Sequence, residues 1–262
     1  MKNKLKFLGI ITLTAVVGFF LLACGDEDDG TTSGPLGPTL NFSKRVYTAN
    51  YTEDDIFGTK PVYSEYNGPI LSFDAEGTSN KATVSAAGVL NFTMGTPNAD
   101  VLLDISDLIE EISDEMFTNI NFSDSTTKTF ALDGFRTQIG SYDYSLSRNL
   151  ISGSVKENAD KIYSVTLSIS EAIYVYVNKD VTLTGTGKTI TGKDAQDVFG
   201  MDKVTSTNLN ILLKKGWNII RYLITMSGTV DEDLIGTKIM ARALVGGESS
   251  NLMWVMDIIG ED

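Results

Sequence analysis

From Leu40 onward, apolar and polar residues alternate with a period of two, the mark of strands buried on one face. The cleanest run sets Tyr163, Val165, Leu167 and Ile169 against Ser164, Thr166, Ser168 and Ser170. It continues through Ile173-Tyr174-Val175-Tyr176-Val177, a β-branched and aromatic stretch. Asn178-Lys179-Asp180 predicts a turn into Val181 and Leu183, which alternate with Thr182 and Thr184. Leu209, Ile211 and Leu213 alternate with Asn208 and Asn210, and Lys214-Lys215-Gly216 turns the chain into a strand over 217–224. Two further strands are expected at 238–245 and 252–259, and Ala86-Ala87-Gly88 joins 82–85 to 89–94 as a hairpin.

One segment breaks the two-residue period. Thr96-Pro97 reads as an N-cap followed by proline at the first helical position. After it, Val101, Ile105, Leu108, Ile109, Ile112 and Met116 recur at helical spacing, with Asp104, Asp107, Glu110, Glu111, Asp114 and Glu115 on the opposite side. The spacing predicts an amphipathic helix over 97–117 and a short helical turn over 194–199. The fold expected for 40–262 is therefore all-β, an antiparallel β-sandwich with one amphipathic helix. A subdivision near 149–160 is open, although no linker composition marks it and no internal repeat stands out.

The first residues obey a different logic. Lys2, Lys4 and Lys6 precede an apolar run from Phe7 to Leu22, and Ala23 stands before Cys24, the only cysteine in the chain. A charged n-region, a short apolar region and a small-residue cleavage site make a secretory signal peptide over 1–23. An uncleaved transmembrane helix is the competing reading, but 7–23 falls short of the roughly 20 residues that usually span a bilayer. Residues 24–39, rich in Gly, Asp, Ser, Thr and Pro, form a tether with too little apolar surface to fold.

With its cysteine directly after the small residue, this leader resembles the signals of bacterial lipoproteins, departing only in Leu22, where a smaller residue is more usual. The resemblance implies cleavage before Cys24 and acylation of that cysteine with palmitate-type chains. It also implies a place in the bacterial cell envelope, anchored at the outer membrane or cell surface. More loosely, the β-rich body with Leu213-Lys214-Lys215-Gly216-Trp217-Asn218 and Tyr174-Val175-Tyr176-Val177 is similar to uncharacterised lipoproteins of spirochaetes. That likeness brings no activity with it.

Charge and chemistry narrow the function. Without the three leader lysines the chain carries 18 basic and 34 acidic side chains, a balance that repels nucleic acid and favours a cationic partner. Histidine is absent, which removes Ser-His-Asp and Cys-His nucleophile systems and histidine-ligated metals. Acylation of Cys24 would consume the one thiol, so no disulfide staples the domain. Gly185-Thr186-Gly187-Lys188-Thr189 resembles the end of a P-loop but has Thr182 where the motif needs its first glycine. Ser125-Thr126-Thr127-Lys128 has the Ser-x-x-Lys spacing without the accompanying elements. These two segments are expected to be a strand-connecting turn and a loop-to-strand transition.

Four candidate features remain. Asp231 and Asp233 could offer hard oxygen ligands to calcium, though without EF-hand spacing. Asp107, Glu111 and Asp114 lie in a run of 46 residues, between Lys81 and Lys128, that holds no basic side chain; they form a candidate surface for a cationic protein or a divalent ion. Tyr47, Tyr51, Tyr63 and Tyr66 could stack on sugars or simply pack in a sheet. Trp217 is expected to anchor the core. The reading that fits is a lipid-anchored, non-enzymatic structural or interaction module without a cofactor. The alternative is a lipoprotein that binds a small ligand or carbohydrate, and a carboxylate-pair glycosidase ranks third.

Overall fold

The computed structural model describes residues 39–51, 60–75, 80–106, 117–132, 134–139, 142–158, 162–195, 202–230, 236–246 and 252–259. In chain order the strands begin with β1 (Leu40–Asn50), β2 (Val62–Glu65), β3 (Leu71–Ala75), β4 (Lys81–Val84), β5 (Val89–Met94) and β6 (Leu103–Asp104). Then come β7 (Phe117–Phe122), β8 (Lys128–Leu132), β9 (Gly134–Ile139), β10 (Tyr142–Glu157), β11 (Tyr163–Val177) and β12 (Val181–Gly187). The last are β13 (Thr189–Thr191), β14 (Lys203–Ser206), β15 (Leu209–Leu213), β16 (Gly216–Val230), β17 (Gly236–Gly246) and β18 (Met253–Ile259). The fold is all-β and mostly antiparallel, as the two-residue period requires, with a 15-stranded sheet and a 3-stranded sheet.

Part of the large sheet closes on itself. Strands β10, β18, β1, β5, β4, β3 and β9 pair in that order, and β9 returns to β10. An odd number of strands cannot alternate direction all the way round a ring. The mismatch is absorbed where β1 runs parallel to β18, with Val46 opposite Trp254. The interior is filled by side chains: Phe73, Leu90, Phe135, Leu146 and Trp254 are all buried there. Phe92 meets Phe135 edge-on at 4.7 Å, and Tyr174 stacks on Trp254 at 6.0 Å. The ring is therefore a packed core.

Strands β11 and β16 form the wall between this core and a second one. They pair over their full length, from Tyr163 opposite Val230 to Val177 opposite Gly216. On one face Tyr174, Tyr176, Trp217 and Ile219 belong to the ring core. On the other, Val175, Val177, Ile220 and Ile224 meet Val181, Leu183, Ile211 and Leu213 of the small sheet, β15-β12-β7. These two facing sheets are the sandwich. Burial on both faces explains why Tyr174-Val175-Tyr176-Val177 is an unbroken apolar run while the rest of β11 alternates.

Two glycines hold tight spots. Gly88, with φ +70°, closes the β4–β5 hairpin where a Cβ would collide with the Tyr66 carbonyl. Gly134 begins β9 at the point where the strand line leaves β11 for β10, and a Cβ there would sit 2.6 Å from the Leu146 carbonyl oxygen.

The helix expected over 97–117 starts later than Thr96-Pro97 indicates. Asn98 precedes a single 3-10 turn, Ala99–Val101, and makes no side-chain cap bond. Leu103 and Asp104 then pair with Thr129 and Lys128, and a 2.8 Å Lys128–Asp104 ion pair fixes that bridge. Helical geometry begins only at Ile105, whose N–H donates to the Thr127 carbonyl at 3.1 Å. Val101 packs on the ring core and Ile105 in the sandwich core, so the apolar stripe is divided between two cores at its start. Residues 107–116 lie outside the described residues. The turn expected at 194–199 is helical over 193–195, and its remainder also lies outside them. The stretch 149–160 falls on β10 and its turn toward β11, with 159 and 160 outside the described residues.

Candidate functional site: a hydroxyl-lined sheet face

Beyond Ala172 the wall strands continue past the ring, and the face that carried Tyr174 and Trp217 changes character. Leu146, Arg148 and Leu150 on β10 give way to Ser152, Ser154 and Lys156, which share a face because side chains alternate along a strand. Even-numbered residues of β11 and odd-numbered residues of β16 take the same side by register.

Three rows result. The first runs Ser152, Ser168, Thr225, Arg242, Thr205, Thr189 across β10, β11, β16, β17, β14 and β13. The second runs Ser154, Thr166, Ser227, Met240, Lys203, Thr191 over the same strands. The third holds Lys156, Ser164, Thr229 and Lys238. Of these sixteen positions, eleven are Ser or Thr, four are Lys or Arg, one is Met and none is Asp or Glu. The strands as a whole hold only seven acidic residues, so the lack of carboxylate follows the sheets in general, and what sets this field apart is its density of hydroxyls.

Neighbouring strands stand about 4.8 Å apart, so the hydroxyls form a grid. Ser154 Oγ and Thr166 Oγ1 are 2.7 Å apart, and Thr189 and Thr205 hydroxyls 3.4 Å. The Asn158 amide donates to Ser164 Oγ at 2.7 Å. Ser152, Ser154, Lys156, Thr166, Thr189, Thr191 and Lys203 are exposed, while the opposite face of the same strands buries Leu167, Ile224 and Met226. At the ring end of the field Arg221 Nε donates to Ser170 Oγ at 2.8 Å, and Arg148 Nη1 donates to the Tyr174 hydroxyl at 3.0 Å.

No family model, curated protein or solved structure matches this chain. The reading of the site rests on its own geometry.

Most residues singled out from sequence fall elsewhere. Cys24, Asp107, Glu111, Asp114, Asp231 and Asp233 lie outside the described residues. Of the four tyrosines, Tyr63 and Tyr66 are tied into the fold. The Tyr63 hydroxyl accepts the Ile151 N–H at 2.9 Å, and Tyr66 donates to the Pro69 carbonyl at 2.7 Å. Burial raises the pKa of both phenols; Asp257 adds to the effect at Tyr63 and Tyr144 at Tyr66. Tyr47 sits in β1 opposite Glu65 and Val255. Tyr51 is 43 % exposed at the end of that strand.

The two motif-like segments are built into the sheets. Gly187 ends β12, its N–H donating to Asn208 Oδ1 at 3.1 Å, and any side chain there would run into the Ser206 carbonyl. Lys188 follows, then β13, so this segment is strand on both sides of one residue rather than a turn. In 124–128, Asp124 accepts the Thr126 N–H and hydroxyl at 2.9 and 2.6 Å, and Lys179 bonds Asp124 at 3.2 Å. Those bonds hold the Asp124 carboxyl below the usual range. Lys128, engaged with Asp104, opens β8, so this is a loop-to-strand transition.

The hydroxyl field was half legible in sequence. Ser164, Thr166, Ser168 and Ser170 stand out as the polar side of one strand. Its continuation over β10, β16, β14 and β13 depends on pairings between segments up to about 70 residues apart, which periodicity does not report.

Proposed function

We propose that this protein is a lipid-anchored bacterial envelope lipoprotein that serves as a non-enzymatic docking module, with the hydroxyl-lined face of β10–β11–β16–β17–β14–β13 as its working surface. One observation carries the reading: eleven of sixteen in-register positions across six strands hold Ser or Thr. Strands disfavour Asp and Glu wherever they lie, so the weight falls on the hydroxyls and on the exposed Lys156 and Lys203 among them. The leader supports the anchoring half of the reading. Acylation at Cys24 by two or more chains, at about 0.8 kcal/mol per buried methylene, would hold the domain firmly at a membrane.

Two measurements test it. Cys24→Ser should release the protein from the membrane fraction or leave the precursor unprocessed, and mass spectrometry of the native N-terminal peptide should find acylated Cys24. A photoreactive benzophenone amino acid replacing Ser152 should crosslink a macromolecule in intact cells, while the same residue replacing Lys44, on the ring, should not. Equal capture at both positions, or none at Ser152, rejects the docking face.

A further inference from the structure

We infer that the hydroxyl-lined face binds an acidic glycan, a polyhydroxylated chain carrying sparse carboxylate or phosphate groups. The inference rests on the docking reading and names its partner. Serine and threonine hydroxyls donate and accept at once, so a grid of them pairs best with a surface that does the same, which is the property of a sugar chain. The cations give the sign of the partner. Lys156 and Lys203 are exposed on the field. With no carboxylate among them, the local charge opposes the charge of the whole chain. Anions are therefore drawn to this face and repelled from the rest.

The same features separate a glycan from other polyanions. Duplex DNA carries about one charge per 1.7 Å of axis, far denser than lysines dispersed among hydroxyls can match. Single strands bind on aromatic platforms, and these three rows contain no Phe, Tyr or Trp. A lipid surface calls for inserted apolar side chains, whereas Met240 is the one apolar residue in the rows. A flat field of hydroxyls with dispersed positive charge suits a sugar polymer whose acids are spaced along a neutral chain.

Binding of the full-length acylated protein, in detergent, to polygalacturonate whose carboxyls are mostly methyl-esterified, so that free acids are sparse along the chain, tests the inference, with neutral dextran, oligothymidylate and phosphatidylglycerol vesicles as comparators. Polygalacturonate should be retained, dextran bound more weakly, and added salt should loosen the complex. The double variant Lys156→Thr/Lys203→Thr should bind polygalacturonate roughly tenfold more weakly. Lys44→Thr, which removes charge from the ring surface, should bind as the parent does. Unchanged tryptophan emission, read from Trp217 and Trp254 in the ring core, shows that the variants fold. Equal or tighter binding to oligothymidylate or vesicles, or a Lys156/Lys203 variant that binds polygalacturonate like the parent, overturns the inference. If the Ser152 crosslink still captures a protein in cells, the docking face stands and only the glycan partner falls.

Discussion

The indole N–H of Trp217 donates to the carbonyl of Gly95 at 3.1 Å, joining the start of β16 to the end of β5 across 122 residues. The ring itself is fully buried, with Tyr176 and Phe130 edge-on at 5.7 and 6.1 Å. Trp217→Phe keeps an aromatic in place but removes the donor and part of the volume, leaving the Gly95 carbonyl without this partner. Lost hydrogen bonding and incomplete repacking together should cost about 1–3 kcal/mol. Guanidinium unfolding followed by circular dichroism measures it, and a midpoint unchanged from the parent would show that Trp217 only fills space.

Gly134 gives a sharper backbone test. Its ideal Cβ position lies 2.6 Å from the Leu146 carbonyl oxygen and 3.6 Å from Ser147 Cα, atoms that belong to paired backbone and cannot swing away. Gly134→Ala should therefore force β9 off β10 and lower stability by about 1–3 kcal/mol. Gly95→Ala makes the comparison, because nothing lies within 4 Å of its Cβ position. That variant should melt within a degree or two of the parent or slightly above it.

Tyr63 reaches from β2 to β10 and accepts the Ile151 N–H at 2.9 Å, just beyond Asn149, where the pairing of β10 with β18 ends. The phenol stands in for a missing strand. Tyr63→Phe should cost about 0.5–1.5 kcal/mol, and the loss should be local. Amide hydrogen exchange at Ile151 should accelerate strongly while Ser154, whose N–H faces β11 because amides alternate along a strand, stays near the parent value. Uniform acceleration along β10 would mean that Tyr63 supports the whole strand rather than one amide.

These relationships show what a sequence of this kind discloses. Alternation in 163–170 and 209–213 is enforced by one apolar face, so β15 and the first half of β11 are readable residue by residue. The hairpin at Ala86-Ala87-Gly88 is equally local, since Gly88 must take positive φ. The late helix start is different. Thr96-Pro97 satisfies every local rule for a helix opening, but Leu103 and Asp104 find partners in β8, and those tertiary bonds outweigh propensity. Ring closure is less readable still. It needs the parallel register of Val46 with Trp254 and the return of β9 to β10, contacts that leave no periodic trace in either segment. The hydroxyl field shares that origin, being a property of six paired strands and of no single one.

Asp257 supplies a pH dependence whose direction follows from its surroundings. It lies in β18 opposite Ser145, mostly buried, and desolvation raises its pKa above the ordinary carboxyl value. The folded protein therefore holds this proton more tightly than the unfolded chain does. Between the ordinary carboxyl pKa and the raised folded value, the native state binds more protons, so stability falls as pH rises through that window. Asp124 and Asp180 work in the opposite sense. Their pKa values are lowered, Asp124 chiefly by Thr126 and Asp180 chiefly by the Lys215 N–H at 2.8 Å, so what they contribute is lost as pH falls below the ordinary value. Asp257→Asn keeps the shape and removes the charge. It should raise the melting temperature at neutral pH, because a buried ionised carboxylate is replaced by a neutral amide. It should also flatten the decline above the ordinary carboxyl pKa, leaving the acid limb set by Asp124 and Asp180 in place. Melting temperatures of parent and variant across mildly acid to neutral pH decide the point. If the two curves run parallel, the Asp257 carboxylate is solvated in the folded state and burial does not govern it.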